Sequence, residues 1–294
     1  MEKTENYGVV SLRWLNGQCY EIRLSNGKVI LTDPMISDPV SDAPWLKFYR
    51  IPKEYGITPE SVERVDYLIL NHTHCDHISD VEYYIKKFNP MVICHEAVAY
   101  ELAKAFDIPF TSVYAVGSEE THEFLDFKME TLHGTHNEQG MKYSTMANIL
   151  EEDYGIGGPG TRELGHLGGL IQLNFILTTK ENFKIAFVGG RLDAMWSRPM
   201  IRAVAKAEPN IMIRQVSGRL PENPEQIYAD EIEQTGVRLM LPMHHEKYDI
   251  SEKETLANLI EKTNIMLQER GVNANMVNPV RGRWYQLGIS FREI

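Results

Sequence analysis

Residues 68 to 85 read LILNHTHCDHISDVEYYI. Within it, His72-Thr73-His74-Cys75-Asp76-His77 forms an H-x-H-x-D-H pattern, three histidines and a carboxylate in six residues. Histidines two apart can reach one metal ion from an extended turn, and the Asp76-His77 pair that follows can aim at a neighbouring point. Imidazole nitrogen with carboxylate oxygen suits Zn²⁺, and also Mn²⁺ or Fe²⁺. The plain alternative is a surface loop with incidental histidines, against which the density of ligand-type side chains weighs. A metal held this way would bring water to a near-neutral pKa and so supply hydroxide at working pH. Asp76, acidic enough to stay ionised, is then the candidate for proton handling.

Such a turn needs elements on either side of it. Asp66 to Leu70 is a short apolar run, read as a strand, and Ser79 with Glu82 is a capping-box pattern that predicts a helix beginning just past His77. The histidines therefore sit between a strand's C-terminal end and a helix start, where ligands bind in α/β proteins. Upstream, strands are predicted over 9–15, 18–24 and 28–32, separated by Asn16-Gly17 and Asn26-Gly27, a strong hairpin signal. Thr58-Pro59 starts a helix. Further on, strands are predicted at 91–94, 112–115, 123–132, 169–178, 183–188, 211–215 and 237–241. Helices are predicted near 96–106, 224–234 and 252–269, the last capped by Ser251 and Glu254 and stopped by Gly271. In that last helix Leu256, Leu259, Ile260, Met266 and Leu267 share one face, an ordinary core stripe.

Composition narrows the class. The chain has 294 residues, 43% of them hydrophobic, enough for a sizeable core, and no apolar run long enough for a membrane span. Residues 1–7 show no apolar signal segment, so a cytoplasmic location and no membrane partner are expected. Cys19, Cys75 and Cys94 are odd in number and lack zinc-ribbon spacing, reading as free thiols of a reducing compartment. The net charge of −11 counts against a broad nucleic-acid surface and leaves a small-molecule substrate as the expected partner. A homo-oligomer is compatible with the sequence.

The H-x-H-x-D-H text resembles the signature of the metallo-β-lactamase superfamily of hydrolases. LRWLNGQCYEIRLSNGKVILTDP resembles that family's opening hairpin, ending in Asp-Pro, and LMLPMHHEKYD its late strand with Pro-Met-His. Within the superfamily the text is similar to the ascorbate-6-phosphate lactonase-like group of metal-dependent hydrolases. The resemblance implies an α/β fold, a four-layer αββα sandwich of two mixed sheets packed face to face with helices outside. It would be one domain over 1–294 with pseudo-repeated halves, 1–165 and 166–294. It also implies ligands outside the turn. His133 and His136 both follow the strand ending near Leu132, and the family pattern places His136 at the ligand position. After Pro242-Met243 it places His244, with His245 beside it. His72, His74 and His136 would hold a first ion, and Asp76, His77 and His244 a second. Asp33, ending an early strand, is a candidate partner for a ligand imidazole.

One position departs from the pattern. The family carries Gly-Asp after the strand matching 184–188, and its aspartate bridges two ions. Here the text is Gly189-Gly190-Arg191-Leu192-Asp193, with Gly190 at the aspartate position. Either Asp193 serves as the ligand from three residues later or it is a helix-start carboxylate. One ion, or two of unequal affinity, is the expectation. The oxygen-reducing diiron branch of this fold usually has glutamate where His74 stands, so histidine there points to hydrolysis. The expected activity is hydrolysis of a lactone or phosphate ester; the alternatives are an RNA or phosphodiester nuclease of the same superfamily, and a non-catalytic metal-binding protein with a degenerate second metal site. Trp45, Phe48, Tyr49, His166 and Trp196 could line a substrate pocket, or the aromatics among them could simply pack. Arg191, Arg214 and Lys247 could meet an anionic group, or be solvated surface cations.

Overall fold

A computed structural model describes residues 4–38, 46–134, 164, 172–190, 197–216, 222–246 and 255–292. Both Asn-Gly pairs turn the chain: Gly17 and Gly27 take positive φ of 50° and 80°, which glycine adopts without steric cost. Strand β1 (Thr4–Asn16) pairs antiparallel with β2 (Cys19–Leu24), and β2 with β3 (Val29–Thr32). β4 (Tyr67–Ile69), β5 (Met91–His95) and β6 (Val113–Val116) then add in parallel. The chain's last strand, β14 (Tyr285–Arg292), returns to β1, giving a seven-stranded sheet of order β14-β1-β2-β3-β4-β5-β6.

The second sheet has the same plan. β7 (Thr121–Glu123), β8 (Phe127–Leu132), β9 (Asn174–Thr179) and β10 (Lys184–Val188) run antiparallel in turn. β11 (Ile211–Gln215), β12 (Leu239–Met243) and β13 (Asn275–Met276) follow in parallel. Its order is β13-β12-β11-β10-β9-β8-β7. The change of sheet falls between Val116 and Thr121.

Alternation along the strands builds the layers, because successive side chains leave a strand on opposite faces. Ile30, Ile69 and Ile93 of the first sheet share a core with Phe175, Leu177, Ile185, Phe187, Ile211, Ile213 and Leu241 of the second, so the sheets pack face to face. Their neighbours Leu31, Leu68 and Cys94 point the other way, onto α2 (Val81–Phe88) and α3 (Glu96–Ala105) through Val81, Ile85, Val98 and Leu102. In the second sheet Ile176, Ala186, Val188, Met212 and Met240 meet α4 (Ser197–Ala207), α5 (Pro224–Thr235) and α6 (Leu256–Glu269). The result is four layers, helices–sheet–sheet–helices. Cys19, Cys75 and Cys94 are free and buried.

Two caps differ from expectation. The helix after the histidines does not start at Ser79. A four-residue turn, α1 (Cys75–Ile78), begins inside the motif. The Ser79 hydroxyl donates back to the Cys75 carbonyl, and Asp80 is the N-cap of α2. The Asp80 carboxylate instead accepts from the Ile36 and Ser37 N–H groups and the Ser37 hydroxyl, tying this turn to the segment after β3. α6 is capped by Thr255, whose hydroxyl accepts from Asn258 N at 3.2 Å; residues 251–254, with the expected cap, lie outside the described residues.

Candidate metal centre

Every group that forms the centre follows the C-terminal end of a strand in the inner layers. Leu70 N donates to Ile93 O and Asp33 N to Ile69 O, so the ends of β3, β4 and β5 are held level. Asn71 then spans the two sheets. Its N–H donates to Asp33 Oδ1 at 2.8 Å, its carbonyl accepts from Leu173 N at 2.7 Å, and its side-chain amide donates to Leu173 O. His72 Nδ1 lies 3.0 Å from Asn71 Oδ1. With the chain pinned at Asn71, the next residues turn inward: His72, His74, Asp76 and His77 are all buried.

One donor atom each from His72, Asp76 and His77 lies within 4.8 Å of the others. The His72 and His74 rings meet edge to face at 4.8 Å, and His72 lies 3.7 Å from His77 between centroids. From the second sheet His244 arrives at the end of β12, in the left-handed region at φ 57°, with its N–H donating to Gly17 O at 2.8 Å. Its Nε2 lies 3.1 Å from Asp76 Oδ2. His245 turns away and packs on Trp14 at 4.4 Å between centroids. The two neighbouring histidines thus part, His244 into the cluster and His245 into an aromatic contact.

Charge follows from this packing. Burial would raise the Asp76 carboxyl, but His77, His244 and His74 around it hold it far below the usual carboxylate range. Burial would likewise lower the His77 ring, yet Asp76 and Asp33 raise it. Asp33, whose Oδ1 is 3.4 Å from His77 Nδ1, is itself raised because burial outweighs the neighbouring ring. Two buried carboxylates flanking one imidazole call for positive charge between them, from a proton on His77 or from a cation. Neither ring nitrogen of His77 makes a hydrogen bond among the described residues, although the ring is fully buried. A buried polar nitrogen of this kind and a His/Asp donor set fit a divalent transition metal.

Of the other sequence candidates, His136 and Asp193 lie outside the described residues, as do Trp45, His166, Arg191, Trp196 and Lys247. His133 stands outside the three-residue donor group, close enough to His95 to add to the lowering that burial imposes on that ring. Gly190 is at the end of β10 with φ 87°. Its N–H donates to Gln215 Oε1 at 2.7 Å, and its carbonyl accepts from Arg214 Nη1 at 2.6 Å. Arg214 is therefore neither a surface cation nor an anion-binding group. It is fully buried, paired through Nε and Nη2 to Glu231 at 2.9 and 3.1 Å, and it fixes the Gly189-Gly190 corner from behind.

Three contributors escaped the sequence reading as site components. Gly17, a hairpin glycine, takes the His244 N–H on its carbonyl and gives its own N–H to the Glu246 carboxylate. Glu246 is buried, with Oε2 making no hydrogen bond among the described residues; a carboxylate two residues past a candidate ligand is the signal that could have marked it. Tyr49, weighed only as pocket lining, is buried with its hydroxyl 3.0 Å from His244 Nδ1.

Known proteins share this architecture. The family model described as the metallo-beta-lactamase superfamily matches residues 12–145. A metallo hydrolase from the hyperthermophilic archaeon Ignicoccus hospitalis superposes with a TM-score of 0.63 over 98% of this chain and 100% of that one, at 12% identity. This is the metallo-β-lactamase fold. The isothiocyanate hydrolase from Delia radicum gut bacteria shares it, with a TM-score of 0.59 over 95% of this chain and all of that one, at 15% identity. In sequence, a protein of Caldivirga maquilingensis named a metal-dependent hydrolase is 27% identical over 126 residues, 42% of this chain. The matched stretches span 49% and 32% of the lengths of the curated relatives found. In metallo-β-lactamase-fold terms, the described cluster lies on the edge where both sheets present strand ends. Among the described residues no helix is long and apolar enough to cross a membrane.

Proposed function

We propose that this chain is a metal-dependent hydrolase acting on a small-molecule ester, a lactone or a phosphate ester. The observation that carries the reading is the buried meeting of His72, Asp76 and His77 donors within 4.8 Å, joined from the opposite sheet by His244. His72, His74, Asp76, His77 and His244 would hold the cation, with His136 and Asp193 as further ligands. Zn²⁺ is the first candidate, as one ion or two, with Mn²⁺ or Fe²⁺ also accepted by this donor set. When bound, the metal supplies a water of near-neutral pKa and polarises the substrate's carbonyl or phosphoryl oxygen.

The chain's own residues do the rest. Asp76, kept ionised by its ring of histidines, would orient the attacking water and handle the proton it releases. Asp33, 3.4 Å from His77 Nδ1, would orient that ring so that Nε2 faces the centre. The strand-end walls of both sheets enclose the cluster and restrict its water. Gly190, at the end of β10, offers no side-chain donor, which supports one tightly held ion over two equal ones. The −11 net charge supports a small substrate over nucleic acid, and the ascorbate-6-phosphate lactonase-like resemblance supports a phosphorylated lactone. Three free buried cysteines fit a reducing, cytoplasmic setting.

The test is elemental analysis of the purified protein after incubation with Zn²⁺ or Mn²⁺, followed by a screen of lactones, phosphate esters and phosphorylated sugars. Stoichiometric metal and metal-dependent turnover of one ester class support the reading. Metal content far below one equivalent sinks it.

A further inference from the structure

The two histidines that face Asp76 are backed by different chemistry. His77 has the Asp33 carboxylate at its Nδ1, 3.4 Å away. His244 has the Tyr49 hydroxyl along the ring edge that carries both nitrogens, 3.0 Å from Nδ1 and 3.3 Å from Nε2, and a phenol can both donate and accept. The phenol is built into place. Tyr49 ends a short 3-10 turn (Leu46–Tyr49), is buried, and offers its carbonyl to Asn16 Nδ2 at 2.8 Å; its ring meets that of His244 edge-on at 5.2 Å. Burial foremost, then the charges of Asp76 and Glu246, keeps the phenol protonated.

The ring of His244 has two jobs that need opposite tautomers. Beside Asp76, Nε2 at 3.1 Å donates its proton to the carboxylate, and Nδ1 is then an acceptor. Turned to a cation, Nε2 must present its lone pair, and Nδ1 must carry the proton. A carboxylate in the phenol's place, able only to accept, would oppose the first state, in which Nδ1 needs a donor. A hydroxyl serves both by rotating its O–H bond.

We propose that Tyr49 is the positioning residue for His244, its hydroxyl holding the ring toward Asp76 and the cation site in either tautomer. The proposal rests on the metal-centre reading above.

The experiment titrates Co²⁺ into the wild type, Tyr49→Phe, His244→Ala and the double variant, following visible absorption, with nitrogen-15 shifts of the His244 ring recorded on the metal-free wild type and Tyr49→Phe. Tyr49→Phe is expected to weaken Co²⁺ binding by about 10- to 100-fold, to alter the absorption of the bound ion, and to move both ring-nitrogen shifts. In the His244→Ala background the same substitution should cost nothing further, because the phenol acts through that ring. Unchanged affinity and spectrum in Tyr49→Phe overturn the proposal, as does an equal loss with His244 absent, which would mark general packing. Wild type that takes up no Co²⁺ overturns the metal-centre reading instead. The nitrogen-15 arm then decides the Tyr49–His244 contact separately, and unmoved shifts refute it.

Discussion

At the end of β4 four ligand-type side chains stand within six residues, whereas the end of β12 sends His244 into the cluster alone. The first rim carries its own positioning: Asn71 pins the chain, α1 turns it, and Asp33 sets His77. The second borrows its positioning from elsewhere, from Gly17 in the first hairpin and Tyr49 in the loop after β3. A dense local motif can be read from sequence. A single residue placed by remote partners depends on the whole fold.

The dense rim should be the more sensitive of the two to a single substitution. His72→Ala is expected to leave no transition metal above background by elemental analysis and no measurable turnover, with the circular dichroism spectrum retained. Retained stoichiometric metal would show that the motif is not the anchor. At the second sheet the largest effect should be structural. Arg214→Met strands the Glu231 carboxylate in the core, and loss of one partner of a buried ion pair costs about 3–5 kcal/mol. Urea unfolding should show that loss, and replacing Arg214 and Glu231 together by apolar residues should recover much of it.

How far the sequence discloses each rim follows from the same contrast. β11 appears at its predicted bounds, and both Asn-Gly hairpins form, because their signals are local. β12 starts and ends two residues later than the periodicity predicts, running through Pro242 to Met243 and so delivering His244 directly from the strand end. β14 has alternating apolar residues at 285, 287, 289 and 291, yet its partner β1 lies at the other end of the chain and no turn signal announces it. Ser79 satisfies the capping-box text, yet Asp80 occupies the N-cap position and its carboxylate makes no cap hydrogen bond, because the segment at Ile36 and Ser37 recruits it. Arg214 carries no mark in sequence of being buried; only the Glu231 carboxylate, seventeen residues on in α5, explains it.

Asp33→Asn sharpens the comparison on a smaller scale. It removes the carboxylate behind His77 and should weaken metal binding by about 10- to 100-fold while leaving Arg214-dependent stability unchanged, as read by metal titration and urea unfolding. The smallest effect belongs to the opposite end of the β4 strand. Partial burial would raise the Asp66 carboxyl, but hydrogen bonds from Arg64, Val29 N–H and Lys28 bring it down to about 2. Its folded pKa lies below the unfolded value, so the stability it adds is present above about pH 4 and is lost as pH falls toward 2. The urea-midpoint difference between wild type and Asp66→Asn should therefore shrink between pH 5 and pH 3. A difference that stays constant over that range would exclude the linkage.

The Gly17–Glu246 contact joins positions 229 apart in the chain, and the His244 N–H closes on the same glycine. In folding terms the candidate cation site is expected to be a late product. The first sheet can hold the histidine motif early, but its complement from β12 comes only after that long loop has closed, a slow class of contact. A cation that binds the finished set is thereby linked to the global transition and not to local opening of the motif. Metal added during refolding should hasten nothing until the sheets have docked, and should then slow unfolding of the entire sandwich.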